Sequence, residues 1–140
     1  MAEGLTRFLL EVEGRDDVKV MSAGTSAVVG FGPTLETIEV MRDLGVDVSS
    51  HLGQAVTDTL IERSDAIFCM EKIHQEILLD MAPQAKEKIH LFRTFGLPEA
   101  PADPNVPDPI GQPRQVYQAC AKVIKESVER IVHSLDGDAA

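Results

Sequence analysis

Apolar positions recur along the chain first at helical spacing and then in short unbroken runs. Leu5, Phe8, Leu9 and Val12 fall on one face of residues 2–14, with Glu3, Arg7, Glu11 and Glu13 elsewhere, which predicts an amphipathic helix. The run "VKVMSAG" predicts a strand over 18–21, closed by Gly24. "TSAVVGFG" reads as a loop punctuated by Gly30, Gly32 and Pro33. Pro33 suits the first turn of a second helix, with Leu35, Ile38, Met41 and Leu44 as its apolar face and Gly45 as its stop. After the irregular "VDVSSHLGQAV", Thr57 is placed to cap a short helix, "DTLIERS". "DAIFCME" has the length and continuous apolarity of a strand buried on both faces, centred on 66–70. "KIHQEILLDMA" predicts a helix with Ile73, Ile77 and Met81 in register, ended by Pro83, and "KIHLF" a further short strand. A Pro-rich loop leads to a long helix over about 115–134, with Val116, Ala119, Val123, Ser127 or Val128, and Ile131 inward.

Helices alternating with strands predict a single α/β domain over 1–140, built on a parallel sheet covered on both faces. Such sheets are usually entered by a strand, whereas this chain enters by a helix. Composition narrows the function classes. The net charge of −10 argues against nucleic acid or an anionic membrane as the main partner. No stretch approaches the roughly 18 consecutive apolar residues of a membrane span, and the acidic start does not resemble a signal peptide. Cys69 and Cys120 lack metal-type spacing and point to a reducing cytoplasm. His74, His90 and His133 likewise lie on helix or strand patterns without metal-type spacing, so no metal and no cofactor is expected.

Asp108 is the leading site candidate. Pro107 and Pro109 restrict the backbone on either side and Gly111 permits a sharp turn, a frame that suits a general acid held against a leaving group. Asp-Pro is also ordinary turn chemistry, and nearby Asp103-Pro104 is read as a plain loop pair. Ser22 sits at the carboxyl end of a predicted strand, where ligands gather in α/β folds, although small residues end strands without any role. His51 in "VSSHLGQ" is placed to orient a neighbouring loop through a ring nitrogen or simply to face solvent. Cys69, mid-strand, and Cys120, on the last helix, have neither a cation nor a helix N-terminus to activate a thiol.

Taken together and in order, "MAEGL", "SAGT", "GVDVSSH", "SDAIFCME" and "PDPIGQPRQVYQAC" resemble the low-molecular-weight protein tyrosine phosphatase family over essentially the whole chain. The resemblance implies a flavodoxin-like sheet and hydrolysis of phosphorylated protein substrates through a cysteinyl-phosphate. It implies that Asp108 is the general acid/base and that Ser22 and His51 brace the phosphate-binding loop. "DPIG" is closer to the bacterial Asp-Pro-x-Gly style, found near protein-arginine phosphatases, than to the Asp-Pro-Tyr-Tyr style that flanks phosphotyrosine. The family's Cys-x5-Arg-Ser-Pro motif has no counterpart here, because the residues six after Cys69 and Cys120 are Gln75 and Glu126. The resemblance places Met1 directly after that motif. The expectation is therefore a chain lacking the first, central strand, between 18–21 and 66–70, together with the nucleophile and the arginine that clamps phosphate. Such a chain is expected to be inactive as written. A non-catalytic pseudophosphatase or binding module and an arsenate-reductase-like protein are the alternatives. Oligomeric state leaves no signal in the sequence.

Overall fold

The computed structural model describes residues 1–26 and 29–138. Helices α1 (Ala2–Val12), α2 (Leu35–Asp43) and α3 (Asp58–Arg63) precede strand β1 (Ile67–Cys69). Helix α4 (Lys72–Met81), a 3₁₀ segment (Pro83–Lys88), strand β2 (Ile89–Leu91) and helix α5 (Arg114–Asp138) complete the order. Strands β1 and β2 pair in parallel, with Ile67 opposite Ile89, Phe68 opposite His90 and Cys69 opposite Leu91.

Side chains of β1 alternate between two cores, as a pleated strand requires. Phe68 and Met70 pack against Leu5, Leu10, Met41, Val106, Ile124 and Val128, residues of α1, α2, α5 and the loop before α5. Cys69 and Ile67 turn to the opposite face and join Ile61, Leu78, Ala82 and Ile89, from α3, α4 and the 3₁₀ segment. The sheet is thus covered on both faces, the arrangement that lets a strand read as a continuous apolar run. Phe68 also meets Phe95 edge-on at a centroid distance of 5.1 Å, a geometry favoured by the ring quadrupoles.

Three sequence expectations need correction. No strand forms over 18–21: among the described residues the sheet holds only β1 and β2, with one isolated parallel bridge between Gly24 and Ala55. Val18 and Val20 still point to the core while Lys19 and Met21 are exposed, so the period-2 pattern survives without a ladder. The carbonyl of Val20 accepts from Arg7 Nη2 at 2.9 Å, and that of Ser22 from Gln54 Nε2 at 2.9 Å, so side chains take the place of a partner strand. Second, helix faces are rotated from those predicted. On α5 Val128 and Ile131 are buried as predicted, with Ser127 beside them, but toward the start of the helix the buried positions are Tyr117, Ala121 and Ile124, while Val116 and Ala119 are exposed. Leu35 and Leu44 of the second helix, and Ile73 and Met81 of the fourth, also face outward, whereas Val40, Met41 and Leu78 are buried. Periodicity finds a stripe's spacing but not which neighbour it meets, and a rotation of one residue is about 100°. Third, Thr34 rather than Pro33 starts α2, its Oγ1 accepting from Thr37 N at 3.3 Å. Thr57 caps α3 in the same way, from Leu60 N at 3.2 Å. Of the predicted loop 25–32, Ala27 and Val28 lie outside the described residues.

Helix α1 closely approaches α2 and the segment after it at Gly4. A Cβ there would stand 2.7 Å from Val48 Cγ1. Two effects oppose each other in Gly4→Ala: helix propensity favours alanine by about 1 kcal/mol, and overpacking costs about 1–3 kcal/mol. The collision is expected to win, lowering the urea midpoint, and Val48→Ala in the same chain is expected to cancel part of the loss. Met41, with 0% of its surface exposed, sits in the same core, and Met41→Ala is expected to cost about 2–5 kcal/mol in urea unfolding.

Candidate active site

Two polar features meet at the first turn of α1. The first is a cluster around Glu3, whose carboxylate is only 15% exposed. Ser22 Oγ donates to Glu3 Oε1 at 3.2 Å, His51 Nδ1 lies 3.1 Å from Oε2, and Arg7 Nη1 donates to Oε2 at 3.3 Å. Ser22 and His51, 29 positions apart by number, are therefore brought together through a residue that sequence reading had placed on the solvent side of the helix. Helical spacing puts Arg7 one turn beyond Glu3, where an i,i+4 acid–base pair forms readily, and Arg7 simultaneously ties the 18–21 segment to α1. "MAEG" held the only hint: an acidic residue in a first helical turn.

The second feature is a cleft of about 300 Å³ beside the cluster, lined by Met1 and Ala2 of α1 and by Thr34, His74, Asp108 and Tyr117 among others. Asp108 stands on its rim, exposed, and no hydrogen bond joins it to the Glu3 cluster among the described residues. Its Oδ1 accepts from Ile110 N at 3.0 Å, the side-chain-to-backbone bond that turn-forming aspartates make. Asp103 makes the same bond to Asn105 N at 3.0 Å. Asp108 lines the cleft and is exposed, held between two prolines that restrict the backbone on either side. His74, given no role from sequence, accepts through Nδ1 from the Glu71 amide at 3.2 Å and completes a capping box at the start of α4.

Neither thiol is poised as a nucleophile. Burial pushes Cys69 up to about 11, and burial also raises Cys120, opposed by the Met1 ammonium and aided by the Asp108 carboxylate. Cys120 lies in the cleft wall, with Sγ 3.8 Å from the Pro107 carbonyl. No lysine or arginine lines the cleft, and among the described residues no group of three His, Cys, Asp or Glu could hold a metal ion. The cleft offers a phosphate hydroxyl and imidazole donors but also the carboxyl groups of Asp108 and Glu71. Two unit charges of like sign at 4 Å repel by roughly 4 kcal/mol near a protein surface, so these two carboxyl groups oppose a bound phosphate.

An α/β domain with its cleft at a helix N-terminus and a carboxylic acid on a proline-framed loop fits a phosphoryl-transfer scaffold. The chain matches, over residues 1–140, the family model described as low molecular weight phosphotyrosine protein phosphatase. It is 28% identical to the low molecular weight protein-tyrosine-phosphatase Wzb of Escherichia coli, over 87% of this chain and 80% of that protein. It is 24% identical to a protein-arginine-phosphatase of Geobacillus stearothermophilus, over 91% of this chain and 83% of that one. The solved structure of Vibrio vulnificus Wzb in complex with benzylphosphonate superposes with a TM-score of 0.82 at 28% identity, covering 95% of this chain and 87% of that one. The chain belongs to the low molecular weight phosphotyrosine protein phosphatase family, and its fold is the flavodoxin-like α/β scaffold of those phosphatases. No helix among the described residues is long and apolar enough to cross a membrane.

Two outcomes follow. Replacing Glu3 by alanine leaves Ser22, Arg7 and His51 without their common acceptor and is expected to cost about 1–3 kcal/mol in urea unfolding. Ser22→Ala added to it should then cost less than it does alone, because the two share one bond. For Cys69, the unfolded thiol ionises near the ordinary value of 9.0 and the folded one at about 11, so between these pH values the unfolded chain binds fewer protons and stability falls as pH rises. The thermal midpoint is expected to drop between pH 9 and 11 less steeply in Cys69→Ala than in the parent.

Proposed function

We propose that this chain is the body of a protein phosphatase that hydrolyses phosphotyrosine or phosphoarginine through a cysteinyl-phosphate. Asp108 is its general acid and base: it protonates the leaving atom and then activates the water that releases phosphate. Ser22 and His51, through Glu3, steady the phosphate-binding loop that the family places ahead of α1. The observation that carries the reading is the family match across all 140 residues, with Asp108 on the rim of a cleft whose floor includes the first turn of α1. Cys-x5-Arg does not occur in this sequence, so these 140 residues supply neither the nucleophile nor the phosphate-clamping arginine that this chemistry needs. Ile110, 64% exposed beside Asp108, gives the rim an aliphatic rather than aromatic wall, which suits a flexible guanidino phosphate at least as well as a phosphorylated ring.

The test is hydrolysis of para-nitrophenyl phosphate, phosphotyrosine peptide and phosphoarginine peptide. The 140-residue chain is expected to show no turnover. The same chain preceded by a strand and Cys-x5-Arg-Ser-Pro loop is expected to turn over, and Asp108→Asn in it to lose about 10²–10⁴-fold in kcat. Turnover by the 140 residues alone, abolished by neither cysteine substitution, overturns the mechanism.

A further inference from the structure

The Asp108 loop is exposed from Asp108 to Arg114 apart from half-buried Pro109, so little along the loop itself fixes where the carboxyl group stands. Its position is set at its ends. Downstream, Arg114 opens α5 and donates to Glu39 Oε2 at 2.8 Å and to Asp43 Oδ2 at 3.1 Å, two half-exposed pairs on α2 worth a few tenths to about 1 kcal/mol each. Upstream, the tie is tighter. Val106, 4% exposed, donates its amide to the Met70 carbonyl at 2.7 Å, directly beyond β1.

Beside it, Asn105 uses its side-chain oxygen and both backbone polar groups. Its Oδ1 accepts from Lys72 N in the first turn of α4 at 2.9 Å, its carbonyl accepts from Arg93 Nη1 at 3.1 Å, and its amide donates to Asp103 Oδ1 at 3.0 Å. One residue thus joins the start of α4, the turn after β2 and its own loop. Only buried Val106 and φ-locked Pro107 separate it from Asp108. Few soft dihedrals remain between anchor and acid, so a shift at Asn105 is carried to the carboxyl group rather than absorbed.

We propose that Asn105 is a positioning residue for Asp108: its side-chain carbonyl, locked onto the α4 N-terminus, sets where the acid stands over the cleft. The assignment rests on Asp108 being the general acid, and the experiment separates the two. In the 140-residue chain, Asn105→Ala removes the acceptor for Lys72 N, whereas Asn105→Asp keeps an oxygen there and suits the positive end of a helix. The resonances of the Lys72 amide, the Ile110 amide and the Asp108 carboxyl carbon are the readout. All three are expected to move in Asn105→Ala and to stay near their parent positions in Asn105→Asp. A shift confined to Lys72, or equal shifts of the Asp108 carboxyl in both variants, overturns the proposal. In the form carrying the Cys-x5-Arg loop, Asn105→Ala is expected to lower kcat more for an alkyl phosphate than for para-nitrophenyl phosphate, because only the poorer leaving group needs the acid. Asn105→Asp should restore the parent ratio. An Asp108→Asn variant with the parent's ratio removes the general-acid reading, while the resonances still decide the positioning role.

Discussion

Strand β1 is only three residues long, yet both cores and the loop bearing Asp108 are hung from it. Phe68 and Met70 join the α1–α2–α5 side and Cys69 and Ile67 the α3–α4 side, as Phe92 and Ile89 at the two ends of β2 do in parallel. The carbonyls at its end are spent in sequence order: Cys69 accepts from Phe92 N at 2.9 Å and Met70 from Val106 N at 2.7 Å. These two bonds decide where the chain turns after β2 and where the Pro-rich loop comes back to the sheet. A ligand site beyond the carboxyl end of a parallel strand is the general rule for such folds, and here the reason is visible in bonds. The same strand end that terminates the ladder holds Asn105–Val106 and the start of α4 side by side.

Stability and chemistry draw on different parts of this arrangement. The α5 stripe from Tyr117 to Ile131 buries large side chains against α1 and α2, and burial of each is worth about 1.5–3 kcal/mol. The Glu3 cluster contributes less to stability than those contacts, because each of its hydrogen bonds nets only about 0.5–1.5 kcal/mol. Its consequence is geometric. Ser22 ends the 18–21 segment, His51 lies on the loop after α2, and Glu3 stands on α1, so one carboxylate fixes three segments that share no ladder. Loss of a single bond there would leave the fold standing but let the segments around the cleft drift apart.

Much of this was legible from residues. Helix positions, the Thr57 cap, both paired strands and the α/β class follow from period and turn chemistry, because each is decided within a dozen residues. What was not legible depends on partners far along the chain. Whether 18–21 forms a ladder is a question about its neighbour rather than about Val18 or Val20, whose pattern is sound. The start of α5 departs from the predicted stripe because Tyr117 is buried under α2, its hydroxyl 3.4 Å from Thr34 Oγ1, a contact across 83 residues. Glu3 and Asn105 were passed over for a related reason. A glutamate in a first helical turn and an asparagine in a loop are the least surprising residues for those places, and only their partners at Ser22, His51 and Lys72 give them a function.

The charge of the cleft is the last constraint, and it bears on division of labour within the family's scaffold. Asp108 and Glu71 both line it, no lysine or arginine does, and the chain as a whole carries −10. The reaction proposed above needs a carboxyl group at the rim that can donate a proton. Phosphate binding loses from the same surroundings, and roughly 4 kcal/mol of repulsion at 4 Å is a factor of nearly a thousand in affinity. Both needs are met only if the attracting groups sit on a separate element that closes over the α1 N-terminus, where backbone amides and an arginine fork can offset the carboxylates. The Glu3 cluster and the Asn105 anchor then have complementary tasks. One ties Ser22 and His51 to the first turn of α1, and the other ties the loop before Asp108 to the start of α4, so both arrangements are set by the fold.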